Sequence, residues 1–254
     1  MYQDSLAKIL TAARAKLNFL ASNTLGYFAA SMLAGIYVGL GVVAYAIPGA
    51  AFAGMPGQKL LMGAVFSIAL TLVVFAGAEL FTGNNLVLSL AWLDGKAKAG
   101  EVFKLWGVCF LGNWLGGILL ALMLAGSSFL AGDYGQFLAQ TAQVKAAYPP
   151  LELILRGMLC NLLVCLAVWA SYRLESESGK FIVILLCLGT FVAAGFEHVV
   201  ANMTLLSAAV LVPHGLSLSI GGYLYNLALS GLGNILGAFL LLALPYWLAS
   251  RSRQ

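Results

Sequence analysis

A-G-A-E-L-F-T-G-N at Ala76–Asn84 and A-G-F-E-H-V-V-A-N at Ala194–Asn202 are one device written twice. Ala76, Gly77, Glu79 and Asn84 answer at identical offsets to Ala194, Gly195, Glu197 and Asn202, 118 residues further on. Each copy interrupts an apolar run with a glycine and a carboxylate. A carboxylate at membrane depth is costly unless it faces protein or water. Paired Gly-interrupted apolar segments in two halves of a chain are the sequence pointer to a transport site. The chain therefore reads as a membrane pore or carrier.

Composition agrees. Of 254 residues, 62% are hydrophobic and only 9% charged, and the mean hydropathy is +0.96. A soluble domain carries roughly a quarter charged residues, so a soluble fold is excluded. Six apolar stretches stand out, at Leu25–Pro48, Leu60–Glu79, Val102–Ala125, Leu151–Tyr172, Phe181–Glu197 and Leu218–Leu248. Most approach the ~20 residues that cross a bilayer as a helix. The second and fifth falter at the repeated motif and resume after it, through Leu86–Trp92 and Val199–Leu211, which predicts broken helices. The runs are continuous and lack the period of two of barrel strands, so the expected fold is an all-α membrane protein. Residues 1–22 set Lys8, Arg14 and Lys16 among Leu6, Ile9, Leu10, Leu17 and Phe19 at helical spacing, which predicts an amphipathic helix on the membrane surface and no cleavable signal.

The repeat extends past the motif. L-G-N-W-L-G at Leu111–Gly116 recurs as L-G-N-I-L-G at Leu232–Gly237, and S-M-L-A-G-I-Y-V-G-L at Ser31–Leu40 is echoed by G-M-L-C-N-L-L-V-C-L at Gly157–Leu166. One domain is expected, with a first repeat at 25–125 and a second at 151–248. Three spans per half oblige the second half to enter the membrane from the other side, giving inverted repeats. Basic residues orient them. With six spans, one face of the membrane holds Lys8, Arg14, Lys16, Lys96, Lys98, Lys104, Arg173, Lys180, Arg251 and Arg253, and the other only Lys59, Lys145 and Arg156. The positive-inside rule then puts both termini in the cytoplasm. The net charge of +4 reports this topology, and nucleic-acid binding has no support. Cys109, Cys160, Cys165 and Cys187 sit inside spans without C-x-x-C spacing, so neither disulfides nor a metal site are expected, and no cofactor is called for.

His198 directly follows Glu197 at the second break. Imidazole can change charge near neutral pH, so a midplane histidine can attract an anion, hydrogen-bond it or pass it a proton. His214 follows Pro213 and reads as a loop residue. Glu79 and Glu197 are expected to accept backbone N–H groups freed where the helices unwind, in the manner of a cap. Thr82, Asn84 and Asn202 offer neutral groups suited to a small polar solute. Asn113, Asn161 and Asn234 are expected to support the breaks, and small-residue packing accounts for Gly112, Gly116, Gly233 and Gly237. An aquaporin-type channel shares the inverted arrangement but needs Asn-Pro-Ala tripeptides, which are missing from this sequence. An intramembrane hydrolase pairing Ser31, Ser67 or Ser207 with His198 lacks a G-x-S-x-G elbow.

At these residues the chain resembles the formate/nitrite transporter family of bacterial inner-membrane anion channels. The motifs that carry the resemblance are A-G-A-E-L-F-T-G-N at 76–84, C-N-L-L-V-C-L-A-V-W at 160–169, G-F-E-H-V-V-A-N-M at 195–203 and L-G-N-I-L-G at 232–237. The resemblance implies an aquaporin-like protomer of six spans and a homopentamer with one pore per protomer. It implies a cytoplasmic constriction of Leu70, Leu80, Phe81 and Val164, with Thr82 on a mobile loop. It also implies an outer constriction of Phe66 and Phe191, His198 and Asn202 facing the chamber between them, and Lys145 in the outer vestibule. The E-L-F-T-G form is closer to the nitrite branch than the D-L-F-T-S form of formate channels. The expected function is a channel for small monovalent anions or their weak acids, nitrite first, with formate or hydrosulfide as the alternative.

Overall fold

The computed structural model describes residues 2–213 and 218–251, and every regular element among them is helical; His214 lies outside the described residues. In chain order the helices are α1 (Gln3–Ser22), α2 (Thr24–Ala51), α3 (Gln58–Phe66), α4 (Ile68–Leu72), a π-helical turn (Val73–Gly77), α5 (Phe81–Leu93), α6 (Ala99–Gly126), a 3₁₀ turn (Phe129–Ala131), α7 (Asp133–Ala146), α8 (Pro150–Arg173), α9 (Glu177–Ala193), α10 (Val199–Leu211), α11 (Ile220–Ala238), a second π-helical turn (Phe239–Ala243) and α12 (Leu244–Ser250). Asn23, Ser176 and Ser219 cap α2, α9 and α11 by accepting the N–H three residues on, at 2.8–3.1 Å. Among the described residues five segments are long and apolar enough to cross a membrane: Thr24–Ala51, Gln58–Gly77, Ala99–Gly126, Pro150–Arg173 and Ile220–Ser250. The chain is a multi-pass membrane protein. The fifth predicted stretch is divided between α9 and α10, of 17 and 13 residues, neither long enough alone.

Both broken segments stop in the same way. Gly77 has φ +82° and Gly195 φ +72°, a left-handed conformation that only glycine adopts without strain. The next N–H reaches back five residues, Ala78 to the Val73 carbonyl at 3.1 Å and Phe196 to Phe191 at 3.0 Å, which closes each helix end. After a short extended stretch a new helix begins, α5 in one case and α10 in the other. Each has 13 residues, a rise of roughly 20 Å. Both are predominantly apolar, with only small neutral polar side chains between, and are buried for nearly their whole length. A helix hydrophobic on every side belongs in a core, and here the remaining helices enclose it.

Two tight helix pairs frame this core, α2 with α6 and α8 with α11. Gly116 lies against the Met32 carbonyl and Gly237 against that of Met158, so close that a β-carbon on either glycine would overlap the facing backbone. Small residues let membrane helices approach backbone to backbone. The stretch 126–148 between the two repeats contains α7, whose Leu138, Ala139 and Ala142 are buried. Helix α1 buries Leu6, Ile9, Ala13 and Leu20 against the bundle and leaves Lys8 and Arg14 exposed.

Candidate functional site

Each break exposes backbone groups that a membrane interior cannot leave unpaired, and an asparagine from a neighbouring helix takes them up. Asn113 on α6 accepts the Phe81 N–H at 2.9 Å and donates to the carbonyls of Ser31 and Glu79 at 2.7 and 2.9 Å. Asn234 on α11 repeats the pattern, accepting from Val199 N–H at 2.9 Å and donating to Gly157 and Glu197 carbonyls at 2.8 and 2.9 Å. The glutamate N–H groups bond sideways, Glu79 to the Ala30 carbonyl and Glu197 to that of Arg156.

The two carboxylates do not cap backbone, as the sequence led us to expect. Asn113 and Asn234 already occupy those N–H groups, so the carboxylates are free to meet cations. Glu79 pairs with Lys16 of α1 at 2.7 Å and accepts from Tyr27 Oη and Asn84 Nδ2, both at 3.0 Å. Glu197 pairs with Lys145 of α7 at 2.7 Å and accepts from Asn202 Nδ2 at 2.7 Å. Burial alone would lower the pKa of Lys145, but the adjoining Glu197 carboxylate together with Tyr45 and Tyr148 outweighs it and the net shift is upward, so the ammonium stays charged. Lys16 and Lys145 thus neutralise the duplicated acids, each from a helix outside the broken segments.

Three cavities run in sequence along these breaks. The first, about 480 Å³, is lined by Lys16, Glu79, Tyr172 and the face of Leu70 and Leu80. The second is a slit of about 10 Å³ between Leu70, Leu80 and Val164 at one end and Phe66, Phe191 and His198 at the other. The third, about 60 Å³, has Phe66, Phe191 and His198 as its floor and holds Lys145, Tyr45 and Asn202. The slit shares Leu70 and Leu80 with the first cavity and Phe66, Phe191 and His198 with the third. The Phe66 and Phe191 rings meet edge to face at 5.7 Å between centroids, and Phe191 stacks on the His198 ring at 5.8 Å.

His198 caps α10. Its Nδ1 accepts the Ala201 N–H at 3.1 Å, and its Nε2 lies 3.0 Å from Thr82 Oγ1 on α5. A ring nitrogen that accepts a backbone N–H carries no proton, so this geometry assigns the neutral tautomer with the proton on Nε2, facing Thr82.

The sequence model of the formate/nitrite transporter family matches residues 3–248. The chain belongs to the formate/nitrite transporter family. The nitrite transporter NirC of Salmonella typhimurium is 37% identical over 252 residues, covering 98% of this chain and 93% of that protein. A solved structure described as an FNT family ion channel superposes with a TM-score of 0.92 at 37% identity, covering 98% of this chain and all of the other. A pentameric formate channel with formate bound superposes with a TM-score of 0.79 at 32% identity, covering 88% and 96%. A member of this family is a transport protein and not an enzyme.

Within this formate/nitrite transporter fold, Leu70, Leu80, Val164, Phe66, Phe191 and His198 gather around one slit although they come from α3, α4, the two breaks, α8 and α9. Phe81 and Thr82 differ from expectation. Phe81 opens α5 and packs edge to face on Phe110 at 5.2 Å, and Thr82 is buried in the first helical turn instead of on a loop. The reason is the Asn113 cap, which starts α5 at Phe81. Asn84 and Asn202 have their amides committed to the glutamates, although Asn202 still lines the third cavity. Asn161 on α8 donates to the Thr82 and Asn234 carbonyls at 3.3 and 2.8 Å, which ties the start of α5 to α11. Sequence reasoning passed over Lys16 as a site residue, and also Tyr27, Tyr45 and Asn226, whose Oδ1 accepts from Asn202 at 2.8 Å. An asparagine or tyrosine inside an apolar span was the available signal.

Proposed function

We propose that the protein is a homopentameric channel of the bacterial cytoplasmic membrane for small monovalent anions or their conjugate acids, with nitrite as the first substrate and formate or hydrosulfide as the second. In this reading each protomer is one domain of six spans in two inverted halves, 25–125 and 151–248, with α3, α4 and α5 as the second span and α9 and α10 as the fifth. Both termini face the cytoplasm and α1 lies along that surface. The relatives support it: a nitrite transporter covers nearly the whole chain, and a formate-bound channel of the same fold is a pentamer.

The observation that carries the proposal is the pair of cavities on either side of a narrow apolar slit, each sharing lining residues with it. A bare anion entering that slit loses its hydration and meets His198 as the one polar side chain among the residues that line it, and unpaired charge in apolar surroundings is costly. The neutral acid escapes most of that cost. Lys16 and Lys145 offset the charges of Glu79 and Glu197 in the two flanking cavities, so neither cavity sets an unpaired carboxylate against an approaching anion. His198 contributes a hydrogen bond from Nε2. Donating a proton outright would require an imidazolium whose Nδ1–H pointed at the Ala201 N–H, so the proton for the weak acid comes from vestibule water.

Stopped-flow flux into proteoliposomes carrying the purified protein tests this. Nitrite flux is expected above that of empty vesicles and to increase as pH falls toward the pKa of nitrous acid. Flux of nitrite, formate and hydrosulfide all at the empty-vesicle level would refute the proposal.

A further inference from the structure

Ala30 and Arg156 hold corresponding places in the two halves, since their carbonyls accept the Glu79 and Glu197 N–H groups at 3.1 and 3.2 Å. Their side chains break the correspondence. Arg156 Nη1 donates to the Gly195 carbonyl at 2.8 Å, Nε donates to Glu152 Oε1 at 2.8 Å, and Nη2 lies 2.7 Å from the same oxygen. The guanidinium also stacks 4.3 Å from the centroid of the Tyr148 ring. A β-carbon on Gly195 would lie 3.4 Å from Arg156 Nη1, whereas one on Gly77 would meet nothing within 4 Å. Among the described residues, a side chain holds the Gly195 carbonyl and none is seen to hold that of Gly77.

We infer that Arg156 is a positioning residue that sets the selectivity of the aromatic aperture by fixing the Gly195 peptide. The assignment rests on the transport reading above and deepens it. Gly195 lines the third cavity, four residues after Phe191 and three before His198, which form that cavity's floor. In its left-handed conformation the glycine has no side chain to stop its peptide from rotating. Rotation would displace Phe191 and His198 together and turn a carbonyl oxygen, negative end first, toward the anion. Arg156 blocks both effects. Its planar fork engages the carbonyl and Glu152 at once, and Tyr148 holds the plane of the fork. A lysine can supply the charge and one bond but not this geometry.

The test compares the parent, Arg156→Ala, Arg156→Lys and Glu152→Gln in proteoliposomes, after size-exclusion chromatography confirms assembly, and measures nitrite flux beside flux of the bulkier, permanently ionised nitrate. Arg156→Ala is expected to lower nitrite flux by about tenfold, in keeping with loss of a charge-assisted hydrogen bond, and to lower the nitrite-to-nitrate ratio. Arg156→Lys restores part of both. Glu152→Gln loosens the second anchor of the fork and lowers nitrite flux together with the ratio, whereas the unmasked arginine charge acting by attraction alone would raise the flux of both anions. A parental ratio in Arg156→Ala, or in both Arg156→Lys and Glu152→Gln, overturns the assignment; should the alanine variant fail to assemble, the other two decide. Absence of anion flux in the parent would instead bring down the transport reading, and this assignment with it.

Discussion

Replacing Asn113 with alanine removes three hydrogen bonds at once from a side chain with no solvent exposure. It strands the Phe81 N–H and leaves the Ser31 and Glu79 carbonyls short of a partner. Each such bond contributes about 1 kcal/mol net in proteins generally and averages about 0.6 kcal/mol between membrane helices. The loss is therefore about 2–3 kcal/mol. For a chain of this size that corresponds to a fall in Tm of roughly 4–12 °C. Thermal unfolding of the detergent-solubilised protein, followed by size-exclusion chromatography of the remaining assembled fraction, measures it. Asn234→Ala removes the same three kinds of bond and is expected to fall in the same range. Asn113→Asp should do no better than alanine, because an aspartate would set its carboxylate against the Ser31 and Glu79 carbonyls. An Asn113→Ala protein that melts within 1 °C of the parent would refute the view that these amides hold the breaks open.

Three other outcomes are expected. His198→Phe should abolish selective anion uptake in proteoliposomes while leaving chromatographic assembly intact, and unchanged uptake would remove the imidazole from the mechanism. Lys145→Met strands the Glu197 carboxylate, which is 1% exposed, and should cost about 3–5 kcal/mol; Lys16→Met should cost less, because Glu79 is 13% exposed and keeps Tyr27 and Asn84. Since the folded-state pKa of Lys145 is raised, the stability from this pair is fully present below the ordinary lysine pKa of about 10.4 and is lost only as pH rises through the higher folded value. Alkaline melting curves of the parent and Lys145→Met should therefore converge at high pH and stay parallel near neutrality. Single cysteines at the exposed Lys98 and Gln136 should be labelled by a membrane-impermeant maleimide from opposite sides of the bilayer, and labelling from the same side would rule out the inverted halves.

The break positions were legible because their chemistry is local. Gly77 and Gly195 each fall four residues before the restarted helix, and a glycine followed by a polar cluster inside an apolar run reads as a helix end wherever it occurs. The apolar stretches were legible for the same reason, since hydropathy sums over neighbours in the chain. The glutamate partners were not. Lys16 lies 63 residues from Glu79 and Lys145 lies 52 from Glu197, and they sit on α1, which read as a surface helix, and on α7, which falls between the two repeats. The cap role went to the wrong residue because a glutamate beside a break is locally as good a candidate as an asparagine 32 residues away. Only the packing of α6 on α2 puts the Asn113 amide within reach.

By itself the sequence determined that this chain is helical, lives in lipid, and carries one interrupted motif in each of two halves. Those conclusions depend on side-chain polarity and glycine geometry, which act on the residues immediately around them. The tertiary structure decided which donor meets which acceptor: Thr82 with His198 across 116 residues, the slit from residues of α3, α4, both breaks, α8 and α9, and Arg156 on the Gly195 carbonyl. Hydrogen bonds and apertures are set to within a few tenths of an ångström by how helices cross, and that crossing is fixed by close-packed surfaces that no stretch of neighbouring residues encodes.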